Sequence, residues 1–141
     1  MQRKASARWQ GTAQEGQGAL SVQSGTLTDT PYTFKGRFGD GGGTNPEELI
    51  AAAHAGCFTM ALAFALGNAG HPPQAIDTEA QLTMEKVKDA WTITAIQLIT
   101  RARVPNIDAA KFAEIANGAK ANCPVSRVLN ASISLDAQLA S

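Results

Sequence analysis

Two cysteines, Cys57 and Cys123, offer the most chemistry in this chain. A thiolate is a nucleophile that can be oxidised, and two thiols that meet can close a disulfide and be reduced again. Cys57 stands inside an apolar run, three residues after His54. On a helix that spacing puts both on one side. By position alone Cys57 reads equally well as a small buried hydrophobe with a raised pKa, because a helix interior has no N-terminal dipole to activate it. Cys123 precedes Pro124. With Pro124 as the first helical residue, Cys123 is the cap. Its sulfur then faces free backbone N–H groups, which favour the thiolate and make it a good leaving group. Ser, Asn or Asp caps better, so a cysteine here hints at use.

The charged candidates are Arg37, Glu47 and Glu48. Both acids follow Asn45-Pro46 and suit the start of a helix. At roughly 100° per residue, Glu47 lies about 80° from the direction of Cys57 and Glu48 about 180°. Both are nearly three turns from the sulfur, so a bridging group is needed for either to act on it. Arg37, read at the end of a strand, is either a solvated edge residue or a fork. As a fork it pairs with a carboxylate and turns a second edge to a thiolate or peroxide oxygen. A Cys57–His54 pair would suggest acyl transfer, though a satisfied core histidine is the plainer reading. Zinc needs more ligands than Cys57, Cys123 and His54, and there is no CxxC or HxxxH spacing, so no metal is expected. The run Gly39-Asp40-Gly41-Gly42-Gly43 lacks the Gly-Lys-Ser/Thr ending of a phosphate loop, and Thr44 stands in place of a dinucleotide-binding glycine. Nucleotide binding is not expected either.

These residues need elements to hold them. Ala7–Gln10, Gly18–Val22 and Tyr32–Lys35 carry the period-two hints of strands with turn residues between them. Asn45 as cap, Pro46 at the first helical position and Glu48 three residues after the cap start a helix, close to a capping box. From Leu49 to Leu66 that helix is apolar almost all round. Its length approaches a membrane span. Its many alanines, with His54 and Thr59, point instead to the buried central helix of a soluble protein, with Met60 and Phe64 as packing residues. Two strands follow, Asp77–Val87 and Trp91–Val104, joined as a long hairpin. The expected alternation is Ala80, Leu82 and Met84, then Ile93, Ala95, Gln97 and Ile99. Asp108 starts an amphipathic helix with Phe112, Ile115 and Ala119 on one face. Cys123-Pro124 opens a short helix, and Ile133-Ser134-Leu135 begins a last strand. The order gives an α+β class with antiparallel pairing, in a single domain over 1–141.

Composition bounds the function. The chain has 141 residues, 44% of them apolar, and a formal net charge of zero. With no basic stripe, neither nucleic acid nor an anionic membrane surface is an expected partner. No apolar segment follows the first residues, so no secretory signal is read, and two cysteines without one suggest a reducing, cytoplasmic setting. A chain this small buries only about two-thirds of its unfolded surface, so burial in a dimer would help it.

Three segments resemble the osmotically inducible protein C (OsmC) family, sister of the organic hydroperoxide resistance (Ohr) proteins. They are Gly43-Thr44-Asn45-Pro46-Glu47-Glu48-Leu49-Ile50, Ala52-Ala53-His54-Ala55-Gly56-Cys57-Phe58 and Asn122-Cys123-Pro124-Val125-Ser126. The resemblance runs from Trp9 to Leu139. It implies an intertwined homodimer with central helices sandwiched by sheets. It matches Cys57 to a peroxidatic cysteine, Cys123 to a resolving one, and Glu47 and Arg37 to the pair that polarises the thiolate, with Arg8 as a rival to Arg37. The implied activity is a two-cysteine peroxidase, an antioxidant enzyme of the stress response. It would reduce an organic hydroperoxide without a cofactor, and a dithiol of lipoyl type or a small thiol would re-reduce it. The alternatives are the acyl-transfer enzyme and a ligand-binding dimer with inert thiols.

Overall fold

The computed structural model describes residues 1–140. Its contacts divide the chain into two compact units, Met1–Leu49 and Ile50–Ser141.

The first unit opens with a three-stranded antiparallel sheet, β1 (Ala5–Gln10), β2 (Gln17–Val22) and β3 (Thr30–Tyr32), in that order. Gly18 of β2 pairs with Trp9 on one side and Tyr32 on the other. A side chain there would strike the Tyr32 ring. Its absence lets the two aromatic rings meet with centroids 5.3 Å apart.

The third strand stops at Tyr32, short of the expected Lys35. Residues Phe34–Phe38 form a short helix, α1, so Arg37 is helical and not at a strand end. Thr33 decides this. Its hydroxyl accepts from the Gly36 amide at 3.0 Å, a local bond that outcompetes a sheet ladder. Phe34 and Phe38, one turn apart, stack at 4.8 Å. The glycine run then folds back onto β3. Gly43 adopts φ +93°, and the next amide, of Thr44, donates to the Pro31 carbonyl at 2.9 Å.

Helix α2 (Pro46–Asn68) starts as its sequence demands. Asn45 Oδ1 accepts from the Glu48 amide at 2.8 Å. The capping box stays half-formed, because the Glu48 carboxylate takes the Thr44 hydroxyl at 2.6 Å instead. The helix ends with Gly70 at φ +82°. His71 N–H donates to the Leu66 carbonyl at 2.9 Å and Gly70 N–H to that of Gly67 at 3.0 Å, the paired bonds of a Schellman stop.

In the second unit α2 meets a sheet of β4 (Ala75–Val87), β5 (Ala90–Arg103) and β6 (Ser132–Leu139). β4 and β5 form the expected hairpin, turned by Lys88 and Asp89, both at positive φ, as a two-residue turn between twisted strands requires. The expected face of β5 is half wrong. Ile93 pairs with Met84, but a bulge between Thr83 and Met84 shifts the register so that Leu82 faces Ile96. Beyond it the buried side chains are Ile96, Leu98, Thr100 and Ala102, while Gln97 is exposed. One extra residue flips every later side chain to the other face.

β6 corrects a second expectation. It runs parallel to β5, because α3 (Ala109–Asn122) and α4 (Pro124–Val128) carry the chain back before it enters the sheet. Asp108 caps α3, accepting from the Lys111 amide at 2.7 Å. Phe112, Ala116 and Ala119 turn inward, and Ile115 is half-buried.

The core of this unit gathers Phe58, Leu62 and Leu66 of α2, Ile96, Leu98 and Ala102 of β5, Phe112, Ala116 and Ala119 of α3, and Cys123. Each fully buried Leu or Phe contributes about 1.5–3 kcal/mol. Helix α2 is long and apolar enough to cross a membrane by length and composition. Within the chain it buries one stripe, His54, Phe58, Leu62 and Leu66. Met60 and Phe64, expected in the packing, stand 75% and 71% exposed.

Candidate active site

Helix α2 and the α3–α4 junction bring the two cysteines together. Cys123 is both the C-cap of α3 and the N-cap of α4, the single residue between the helices. Pro124 allows this, since it suits the first helical position and cannot continue the helix before it. Sγ of Cys123 lies 2.8 Å from Sγ of Cys57 across 66 residues of sequence, and both thiols are free. Cys57 is half-buried, whereas Cys123 is 0% exposed.

The surroundings treat the sulfurs differently. Burial, and then the hydrogen bond with Cys123, push the Cys57 thiol above the ordinary range, and the Val125 amide offsets only part of this. Burial also pushes Cys123 up, but the Cys57 thiol, the amides of Ser126 and Val125 and the Ser126 hydroxyl together hold it below the ordinary value. With both thiols protonated, Cys123 donates to Cys57. Cys123 does not make the capping hydrogen bond of a serine. Even so, the start of α4 favours its anion, as its place before Pro124 suggests.

His54 does not pair with Cys57 to make a thiolate–imidazole couple. It is fully buried, its Nε2 is 2.7 Å from Ser126 Oγ, and burial lowers its pKa. Ser126 has no signal of its own in the sequence, other than standing three residues after the capping cysteine.

The first unit holds the ion pair. Arg37 Nε donates to both Glu47 oxygens at 3.0 and 3.1 Å, and its Nη2 donates to Oε1 at 2.6 Å. This fork-on-carboxylate geometry fixes the guanidinium plane. Arg8 lies on β1 opposite Ala19. Around Arg37 is a cavity of about 240 Å³ lined by Trp9, Tyr32, Phe34 and Phe38 among others, with the guanidinium 5.2 Å from the Phe38 ring centroid. Among the described residues no cluster of three or more His, Cys, Asp or Glu side chains could hold a metal ion.

Two free thiols already in contact make a dithiol that closes into a disulfide with little movement, which is the equipment of a thiol redox protein. Comparison with known proteins agrees. The model of the OsmC-like protein family matches residues 39–138. The chain is 50% identical over 139 residues to the peroxiredoxin OsmC of Escherichia coli K12, spanning 99% of this chain and 97% of that one. It is 30% identical to the organic hydroperoxide resistance protein of Xanthomonas axonopodis pv. citri, over 92% and 91% of the two chains. The crystal structure of the organic hydroperoxide resistance protein OhrB of Bacillus subtilis superposes with a TM-score of 0.78 at 26% identity, covering 97% and 98%. The chain belongs to the OsmC-like family.

Proposed function

We propose that this protein is a thiol-dependent peroxidase that reduces organic hydroperoxides to alcohols. The observation that carries this reading is the 2.8 Å contact between a half-buried and a fully buried thiol, in a chain half identical to a peroxiredoxin. Cys57 is the attacking thiol, because a peroxide must reach the sulfur and Cys123 is shut away. Its sulfur attacks the terminal peroxide oxygen and the O–O bond breaks. The alkoxide takes up the proton that Cys57 gives up and leaves as the alcohol, with Cys57 as a sulfenic acid. Cys123 then attacks that sulfur, forming the disulfide and releasing water. An external dithiol, of lipoyl type or a small thiol, reduces the bridge by exchange. The raised pKa of Cys57 means that it needs a cation in the working site, and Arg37 held by Glu47 is the candidate. No cofactor takes part. Mass spectrometry after one equivalent of an organic hydroperoxide should find the chain lighter by two hydrogens with no alkylatable thiol. An unchanged mass with two alkylatable thiols would end this reading.

The chain works as one domain over 1–141, in the reducing cytoplasm, as an intertwined homodimer. The exposed apolar side of α2 supports the dimer. Its inward stripe is filled by its own unit, so Met60 and Phe64 need another apolar face, and a second copy offers the same one. Sedimentation should give a dimer that does not dissociate into folded monomer on dilution, and Phe64→Glu should weaken it sharply. A stable monomer of the unaltered chain would overturn the assembly.

A further inference from the structure

Behind Cys123 lie an imidazole and a hydroxyl to which the chemistry above gives no role. His54 Nε2 lies 2.7 Å from Ser126 Oγ. The other ring nitrogen, Nδ1, is buried and has no hydrogen-bond partner among the described residues. That asymmetry chooses the tautomer. A proton on Nδ1 would be a buried donor with nothing to bond, which costs more than a bare lone pair. The N–H is therefore on Nε2 and donates to Ser126 Oγ. Ser126 accepts there and keeps its own proton to give elsewhere. Cys123 caps α4 and Ser126 follows three residues later, the spacing at which a cap side chain meets the turn it opens. Both the hydroxyl and the amide of Ser126 favour the anionic sulfur.

We propose that His54 and Ser126 are positioning residues for the resolving step: the imidazole N–H orients the Ser126 hydroxyl, which donates to Cys123 Sγ and holds it as the attacking thiolate. This rests on Cys123 being the resolving thiol. In that step the Cys123 thiolate attacks the sulfur of the Cys57 sulfenic acid. The S–S bond forms, the S–O bond breaks, and the departing hydroxide regains from solvent the proton that Cys123 had released. His54 and Ser126 keep their protons throughout. The titratable groups that act on Cys123 are Cys57 directly and His54 through Ser126. Lys120 Nζ reaches the Ile133 carbonyl at 3.4 Å, and neither it nor Arg127 contributes to the Cys123 titration.

The test reads Cys123 alone, by the ultraviolet absorbance of its thiolate against pH in a Cys57→Ser background. Adding Ser126→Ala should raise the midpoint by roughly one pH unit, the effect of one lost hydrogen bond to an anion. Ser126→Thr keeps the hydroxyl and should restore it. His54→Gln, with an amide N–H in place of the imidazole's, should stay near the starting value, and His54→Leu should not. In stopped flow with both cysteines present, Ser126→Ala should slow disulfide closure about tenfold near neutral pH. A midpoint and closure rate unmoved by Ser126→Ala, even with lower melting temperature, would make the residue merely structural and end the proposal. Failure of the peroxidase reading looks different, because the titration needs no peroxide and does not depend on which thiol attacks.

Discussion

Replacing Cys57 by serine is expected to reduce hydroperoxide turnover to background, whereas Cys123→Ser still consumes about one equivalent and then stops as a sulfenic acid that oxidises further. The expectation runs against the simplest electrostatic argument. In the resting pair Cys123 is the more acidic sulfur and Cys57 the less acidic one, so acidity alone would make Cys123 the attacker. Access decides otherwise. Cys123 is fully buried and Cys57 is not, and a thiolate that no peroxide reaches cannot reduce one. The low pKa of Cys123 suits the second step, in which its partner is already beside it. Counting peroxide consumed by each variant distinguishes the two orders. Sustained turnover by Cys57→Ser, or a one-equivalent burst from it that Cys123→Ser lacks, would reverse the assignment.

An alkyl or aryl hydroperoxide should be reduced with kcat/KM on the order of a hundredfold above that for hydrogen peroxide, and at least about tenfold. Each buried methylene contributes about 0.8 kcal/mol, roughly a factor of four. Four or five such carbons exceed the expected ratio even after losses to imperfect fit. Arg37 sits in a cavity walled by Trp9, Tyr32, Phe34 and Phe38. Such rings are apolar walls of the kind that would take a hydrocarbon tail, and hydrogen peroxide has no tail to bury. Arg37→Ala should slow both substrates alike, since its charge acts on the chemistry they share. Stopped-flow consumption of both peroxides by both proteins measures this. Equal constants in the unaltered chain would mean that the cavity takes no tail.

Much of the site could be read from local chemistry. Asn45, Pro46 and Glu48 mark the start of α2 within four residues, and Cys123-Pro124 marks α4 because a proline at that point has few other uses. What could not be read depends on distance or on a single offset. Nothing in the order of residues says that Cys57 and Cys123 meet across 66 positions, and only the family resemblance paired them. The face of β5 was lost to one bulge, which periodicity cannot detect. Arg37 reads as a strand end because Tyr32, Thr33 and Phe34 before it are good strand residues, while the deciding Thr33 hydroxyl acts through a hydrogen bond that propensity ignores. The parallel entry of β6 depends on where α3 and α4 lead the chain. Helix α2 reads as buried all round because sequence records what a side chain avoids, not what covers it, and Met60 and Phe64 stand exposed.

The junction at Cys123 also sets a clock. A sulfenic acid has two fates, capture by a nearby thiol or attack by a second peroxide, which carries it to sulfinic acid and ends the cycle. With Cys123 as the proposed resolving thiol, the capturing sulfur already stands 2.8 Å away, and a disulfide needs about 2.05 Å, so capture would need no helix to unwind. In the proposed cycle the vulnerable interval would be set by that short approach and not by a conformational search. Rising peroxide would therefore speed turnover well before it could win that race. The Cys123→Ser protein is the same molecule with the clock stopped.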